Sequence, residues 1–358
     1  MRTTLRLLGR MLILWLALQA LVYRSGLYYR VADPKSNTGA VVNALLILEQ
    51  HYEPGARTVL VLGDSRIVEG FSGPLAQGDG QLRFLALGVP GTSPRTWYYL
   101  LREIVRRGYA FEGVVLGITL QARTESLSDW PLSPLQDAPL LGLADTLAYP
   151  ASFDLKAARV RARQGLLFPE VALRYDSVAL LQSPIARWQK ILRRRRELAA
   201  VRDYPGRDQM MPVLRFSATG EVSAWQTASE LQRVQINAML EKRTRPADSA
   251  LRRANAKYYA TWLGAIAELA HQQGGRAIAF ALPRGPYREV LEAPAHIPDE
   301  YRAALSHPCL LVVPLGSLAE LEQPQYFFDL EHLNHTGRER MSGHVGARVR
   351  ALLEPTKP

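Results

Sequence analysis

The chain has 358 residues, 47% of them apolar and 22% charged, which is enough to bury a sizeable core and too apolar for wholesale disorder. Lys and Arg total 44 against 33 Asp and Glu, a formal net charge of +11, and arginine supplies all but six of the basic residues. The single cysteine, Cys309, excludes a disulfide framework, a structural zinc cluster and a CxxC redox pair.

The run Met11 to Tyr23 (MLILWLALQALVY) is uncharged and follows Arg2, Arg6 and Arg10. Leu5, Leu7 and Leu8 extend it toward the length a bilayer-spanning helix needs, and arginine side chains can snorkel to headgroups. The pattern is that of a basic region leading an apolar one, hence an export signal or an uncleaved anchor. The nearest cleavage candidate, Leu18-Gln19-Ala20, matches small-x-small poorly, so residues 1–27 are assigned as a signal anchor. Arg24, Arg30 and Lys35 nearly balance the leading arginines. A short N-terminus most simply stays in the cytoplasm, which places the body on the extracytoplasmic, periplasmic side of the inner membrane.

Arg30 to Gly39 reads as a polar tether, and Ala40 to Tyr52 carries apolar residues at helical spacing; together they form a segment of residues 28–55. Thr58 to Leu62 (TVLVL) is a continuous β-branched run, as expected for a strand covered on both faces of a parallel sheet. Leu82 to Leu87, Gly113 to Ile118, Arg276 to Leu282 and Leu310 to Pro314 supply four more strands. A helix from Pro94 to Arg107, with Ser93 as N-cap, follows the second. Strands alternating with helices predict an α/β domain over residues 56–123 and 250–358. Between them, residues 124–249 break the alternation. They hold Trp130, Trp188, Trp225 and the run Arg193 to Arg196, and are assigned as a largely helical insertion or lid. The arginine run is either a solvated helix face or a surface for anionic lipid or an acidic polymer. No nucleic-acid-binding module is recognisable.

Two short motifs can carry chemistry. Gly63-Asp64-Ser65-Arg66 directly follows the first strand, and in open α/β sheets ligands bind beyond the carboxyl ends of the strands. A serine opening a helix there exposes its hydroxyl beside free backbone N–H groups; alternatively Asp64 or Ser65 merely caps the helix. Near the other end stands Asp329-Leu330-Glu331-His332. A carboxylate and an imidazole three residues apart can share one turn, the first holding the ring of the second so that its far nitrogen accepts a proton. The plain alternative is a structural Asp and a surface His. His335 is a rival base without a carboxylate at the same spacing. Thr336 and Glu339 are placed as a capping box for a last helix, Gly337 to Leu353. His271, His296, His307 and His344 are scattered without metal-ligand spacing.

G-D-S after the first strand together with D-x-x-H before the final helix resembles the SGNH (GDSL-type) hydrolase superfamily. The resemblance implies a parallel-sheet three-layer sandwich, Ser65 as nucleophile, His332 as general base and Asp329 as its orienting partner, with no cofactor and no metal. It further implies an oxyanion hole built from the N–H of Ser65, that of Gly88 in LALGVPGTSP, and a side chain from a third block that normally reads G-x-N-D. Here that block is Gly117-Ile118-Thr119-Leu120-Gln121. Thr119 falls at the aligned position, so its hydroxyl or the Gln121 amide must substitute; losing one preorganised donor costs about 3–4 kcal/mol of transition-state stabilisation. DLEHLNHTG beside a membrane-tethered N-terminus is similar to the cell-envelope branch, which includes the D-alanine transfer proteins of teichoic acids and the alginate O-acetylation proteins.

The expectation is therefore a membrane-anchored serine esterase or O-acyltransferase acting on acyl esters of a cell-envelope or exported polysaccharide. The rival is a non-catalytic polysaccharide-binding or assembly subunit that partners a membrane acyltransferase. Arg66, Arg284 and Tyr287 are the candidate substrate contacts. Arg66 is either a ligand for an acidic sugar or half of an ion pair. Pro283 to Tyr287 follows the fourth strand and otherwise serves as a rigid loop.

Overall fold

The computed structural model describes residues 2–119, 126–208, 214–224, 228–244, 248–287, 290, 298–314 and 316–354. Gln121, Trp225 and His296 lie outside these. The chain divides into a helical unit, residues 1–46 with 131–198, and a sheet unit, residues 47–130 with 199–358.

In the sheet unit, five strands lie in one parallel sheet: β1 (Thr58–Leu62), β2 (Arg83–Ala86), β3 (Gly113–Ile118), β6 (Arg276–Ala281) and β7 (Leu310–Val312), in the order β2-β1-β3-β6-β7. β1 and β3 are buried at every position, as their unbroken apolar runs require. The chain leaves β1 for one side of the sheet and returns on the other as β3. The crevice at the carboxyl ends of these two strands is the place where doubly wound sheets bind ligands. A separate antiparallel hairpin, β4 (Leu214–Phe216) with β5 (Val222–Ala224), falls within the stretch read as an insertion, yet it belongs to the sheet unit.

Among the flanking helices, Pro94–Arg106 starts where expected, but Ser93 makes no capping bond; its hydroxyl pairs with Tyr258 Oη at 2.7 Å. The last helix starts at His335, two residues before the expected point. Its N-cap is Asn334, whose side chain accepts from the Gly337 N–H at 3.0 Å, so the Thr336–Glu339 box does not form. Glu339 pairs instead with His335 Nε2 at 3.2 Å.

The helical unit contains the N-terminal helix Arg2–Gln19, which continues to Arg24 as a π-helical turn. Arg6–Arg24 is long and apolar enough to cross a membrane, and it is almost wholly exposed. The stretch read as a polar tether is packed rather than free. Tyr28 and Ala32 are buried with Leu173, and Asp33 meets Lys190 at 2.6 Å and, through its N–H, Asp176 at 3.2 Å. Arg187 is buried and bridges Asp176 at 3.1 Å and the Val31 carbonyl at 3.0 Å. Mutual neutralisation is what lets so polar a segment leave water.

Candidate active site

Ser65 stands at the first position of α3 (Ser65–Gly70), three residues past β1. Ile67 seats that short helix. A Cβ on Gly63 or on Gly117, at the carboxyl ends of β1 and β3, would overlap the Ile67 side chain, so glycine at both places lets the turn settle against the sheet. At the other end of α3, Arg338 donates to the carbonyls of Val68 and Glu69 at 2.9 and 2.8 Å; burial pulls its guanidinium down to about 10. Asp64 is the N-cap, accepting from the Arg66 N–H at 2.9 Å. The capping reading and the exposed-hydroxyl reading thus hold together, one for each residue.

The loop that carries Asp329 and His332 is closed by short-range bonds. Phe327 bridges Leu333, and the Phe328 N–H donates to the His332 carbonyl at 3.1 Å. Asp329 Oδ1 accepts from the N–H groups of Glu331 and His332, both at 2.8 Å, which turns the chain and aims the other oxygen at the ring. Asp329 Oδ2 then lies 2.8 Å from His332 Nδ1, and His332 Nε2 lies 2.8 Å from Ser65 Oγ. With Nδ1–H donating to the carboxylate, Nε2 is free to accept the serine proton.

The electrostatics suit that role. Burial pushes His332 toward the neutral form, but the Asp329 hydrogen bond and charge, joined by Glu331 and Asp64, hold its pKa above the ordinary histidine value. Burial pushes Asp329 up, yet the His332 bond and charge and the two backbone N–H groups keep its carboxylate below its usual range. His335, the rival base, turns away: its Nδ1–H donates to the Pro205 carbonyl at 2.6 Å.

Gly88 is half-buried after β2, packed so closely on α3 that a Cβ would lie 2.9 Å from the Val68 nitrogen. Thr92 Oγ1 donates to the Val89 carbonyl at 2.6 Å and accepts from Trp97 Nε1 at 2.9 Å, which fixes this loop. Thr119 is buried at the end of β3. Its carbonyl accepts from Tyr259 Oη at 2.8 Å, and its hydroxyl accepts from Arg66 Nη2.

The three candidate substrate contacts are occupied within the protein. Arg66 is buried and grips Asp64, Nε to Oδ1 at 3.2 Å and Nη2 to Oδ2 at 2.5 Å, and the carboxylate holds the guanidinium charged despite its burial. Arg284 clamps Glu322 with Nη2 to Oε2 at 2.7 Å and Nε to Oε1 at 2.9 Å. Tyr287 is buried with its hydroxyl on the Leu330 carbonyl, inside the loop from Asp329 to His332. Leu330 itself packs with Tyr287, Leu214 and Ile236, so the hairpin and the helix Glu230–Thr244 back that loop from outside the sheet.

Sequence reasoning missed a stack over the imidazole. Phe328 lies face to face with His332, ring centres 5.6 Å apart at 15°, and the Arg207 guanidinium covers Phe328 at 4.8 Å. Arg207 is more than half exposed and meets Glu69 at 3.5 Å, while Tyr204 Oη donates to the other Glu69 oxygen at 2.6 Å. Phe328 beside D-x-x-H was a visible clue; Arg207, far away in sequence, offered none. Among the described residues no group of three or more His, Cys, Asp and Glu side chains gathers as a metal site.

Chemically, the arrangement is a hydroxyl, an imidazole and a carboxylate in line at the carboxyl edge of a parallel sheet. Compared with known proteins, the chain matches no family model, no curated protein and no solved structure.

Proposed function

We propose that the protein is an SGNH-type serine esterase or O-acyltransferase, tethered to the membrane by its N-terminal helix and acting outside the cytoplasm on acyl esters of an envelope or exported polysaccharide. The observation that carries this reading is the unbroken relay from Ser65 Oγ to His332 Nε2 and from His332 Nδ1 to Asp329, both steps at 2.8 Å. The strand order and the placement of G-D-S and D-x-x-H at one sheet edge also support it.

In this mechanism Ser65 Oγ attacks the ester carbonyl carbon while its proton passes to His332 Nε2. The oxyanion takes hydrogen bonds from the N–H groups of Ser65 and Gly88. Arg66 holds the Thr119 hydroxyl as an acceptor, so that hydroxyl's own proton is available to serve as the third donor in place of the family's Asn. Collapse breaks the ester C–O bond, and the imidazolium returns its proton to the departing alkoxide. The acyl group on Ser65 is then transferred to an incoming hydroxyl, deprotonated by His332; water makes the reaction hydrolysis and a sugar hydroxyl makes it transfer.

The test is covalent labelling of full-length protein by a fluorophosphonate or an activated acetyl ester, with the adduct located by mass spectrometry. Modification of Ser65 that is absent in Ser65→Ala is the expected result. A wild-type Ser65 that stays unmodified would overturn the enzymatic reading in favour of a binding or assembly subunit.

A further inference from the structure

The helical unit presents an apolar surface that its own core does not use. On the helix Arg174–Gln182, Tyr175, Val178 and Leu181 share one face and are exposed; on the next, Pro184–Ala199, Ile185, Trp188 and Leu192 do the same. Leu181 and Ile185 are 80% and 75% exposed, values unusual for aliphatic side chains of a water-soluble surface with so many neighbours of the same kind.

Contacts made by the candidate span set the depth this surface occupies. Trp15 of the candidate span packs against Phe168, ring centres 5.8 Å apart and planes tilted by 35°. One turn later Gln19 donates to Glu170, and Arg24 donates to the Leu166 carbonyl. Residues 166–170 therefore lie alongside the last two turns of the membrane-crossing helix. Trp15 lies nine residues inside Arg24, the end of the candidate span, about 13 Å along the axis at 1.5 Å per residue, so residues 166–168 reach from that end into its apolar part. An interfacial helix sinks roughly 5–10 Å below the headgroups, a depth within that reach. Exposed Phe168 and Val171 are thus carried into the acyl boundary by a contact the span itself makes.

We propose that the helical stretch 156–199 is a monotopic membrane element, lying in the bilayer interface beside the span with its apolar face in lipid. Its charge selects the kind of surface. Arg159, Arg161, Arg163, Arg174 and the run Arg193 to Arg196 lie on the same helices, which fits a leaflet rich in anionic headgroups. The element fixes the height and tilt of the helical unit in a way that a single helix on a free tether cannot. It rests on the span being in a membrane and not on the serine chemistry, so the two readings fail separately.

The experiment uses the full chain in a Cys309→Ser background, with an environment-sensitive NBD fluorophore on Leu181→Cys or Trp188→Cys, and on Leu231→Cys of the sheet unit as the exposed control. Protein is reconstituted into phosphatidylcholine vesicles, with or without phosphatidylglycerol, carrying a bromolipid quencher. The expected result is a blue shift and loss of fluorescence at 181 and 188, with neither at 231. Replacing Arg193, Arg194, Arg195 and Arg196 together by Gln should abolish the extra quenching that phosphatidylglycerol brings. Fluorophores at 181 and 188 that remain water-exposed and unquenched overturn the proposal. So does shielding that arises only when a second membrane protein is co-reconstituted, which would make the face a protein interface.

Discussion

In the sheet unit every residue of β1 and β3 is buried, while in the helical unit the helix Arg174–Gln182 buries none of its residues. Among the described residues, thirteen exposed large apolar side chains fall between Leu143 and Leu192, against four in the larger sheet unit. The sheet unit puts its apolar residues into a core that holds Ser65 and His332 in register; the helical unit turns many of its own outward and fixes its interior with ions. On the two proposals, rigidity serves the chemistry of one unit and exposed surface the attachment of the other.

The largest effect that would sharpen this division is Ser65→Ala. It should lower turnover of an acyl ester by about 10⁶-fold, the size of a nucleophile deletion in a serine relay, while bromolipid quenching in the helical unit stays as in the wild type. Asp329→Asn comes next, at roughly 10⁴-fold in kcat, because the amide cannot hold the Nδ1–H tautomer. The same variant has a pH signature. His332 must be neutral to accept the serine proton, and its raised pKa keeps the proton on to higher pH, so the acid limb of kcat/KM should fall above the ordinary histidine value of 6.5. Without the Asp329 bond and charge, burial acts with less opposition and that midpoint should move down. A midpoint that stays put would mean the limb belongs to another group.

Each unit also has a buried cation whose removal tests how separate the two are. Arg66→Ala leaves Asp64 buried without its guanidinium, and breaking such a pair costs about 3–5 kcal/mol; Arg187→Ala takes the buried guanidinium from Asp176, which is only half-buried, and costs less. Limited proteolysis should open residues 199–358 in the first variant and residues 131–198 in the second. The Arg187 variant should keep Ser65 reactive; loss of labelling there would erase the division of labour drawn above.

How much of this was legible in the sequence follows the range of the interactions. β1 and β3 announce themselves because strands buried on both faces take apolar residues at nearly every position. Asp64 with Ser65 and Asp329 with His332 are legible because each pair acts within three residues. That both pairs meet depends on strand order, which neither motif carries; only the family resemblance suggested that they do. Arg284 and Tyr287 stayed undecided in the sequence, since a cation and a phenol after a strand look alike whether they face substrate or brace a loop; here they hold Glu322 and Leu330. Arg30 to Gly39 looked like a tether because polarity signals solvent unless the partners are known, and Arg187 and Lys190 lie some 150 residues away. Asn334 displaced Thr336 as the cap simply by standing where the helix begins.

The smallest effect concerns Arg207, the exposed cation one ring beyond His332. Its face is committed to Phe328, while its edge, more than half exposed, meets Glu69 at 3.5 Å and the Tyr204 hydroxyl. If it receives an anionic part of the substrate, Arg207→Gln should lower kcat/KM for a negatively charged ester by about fivefold or less, the worth of an exposed ion pair of up to ~1 kcal/mol, and leave a neutral ester of the same acyl group untouched. The difference should shrink as salt shortens the Debye length. Equal losses on both esters, insensitive to salt, would instead assign Arg207 to bracing the Phe328–His332 stack, and the acid limb of the pH profile would then shift with it. A guanidinium that touches substrate changes which ester is preferred, whereas one that only steadies the imidazole changes every ester alike.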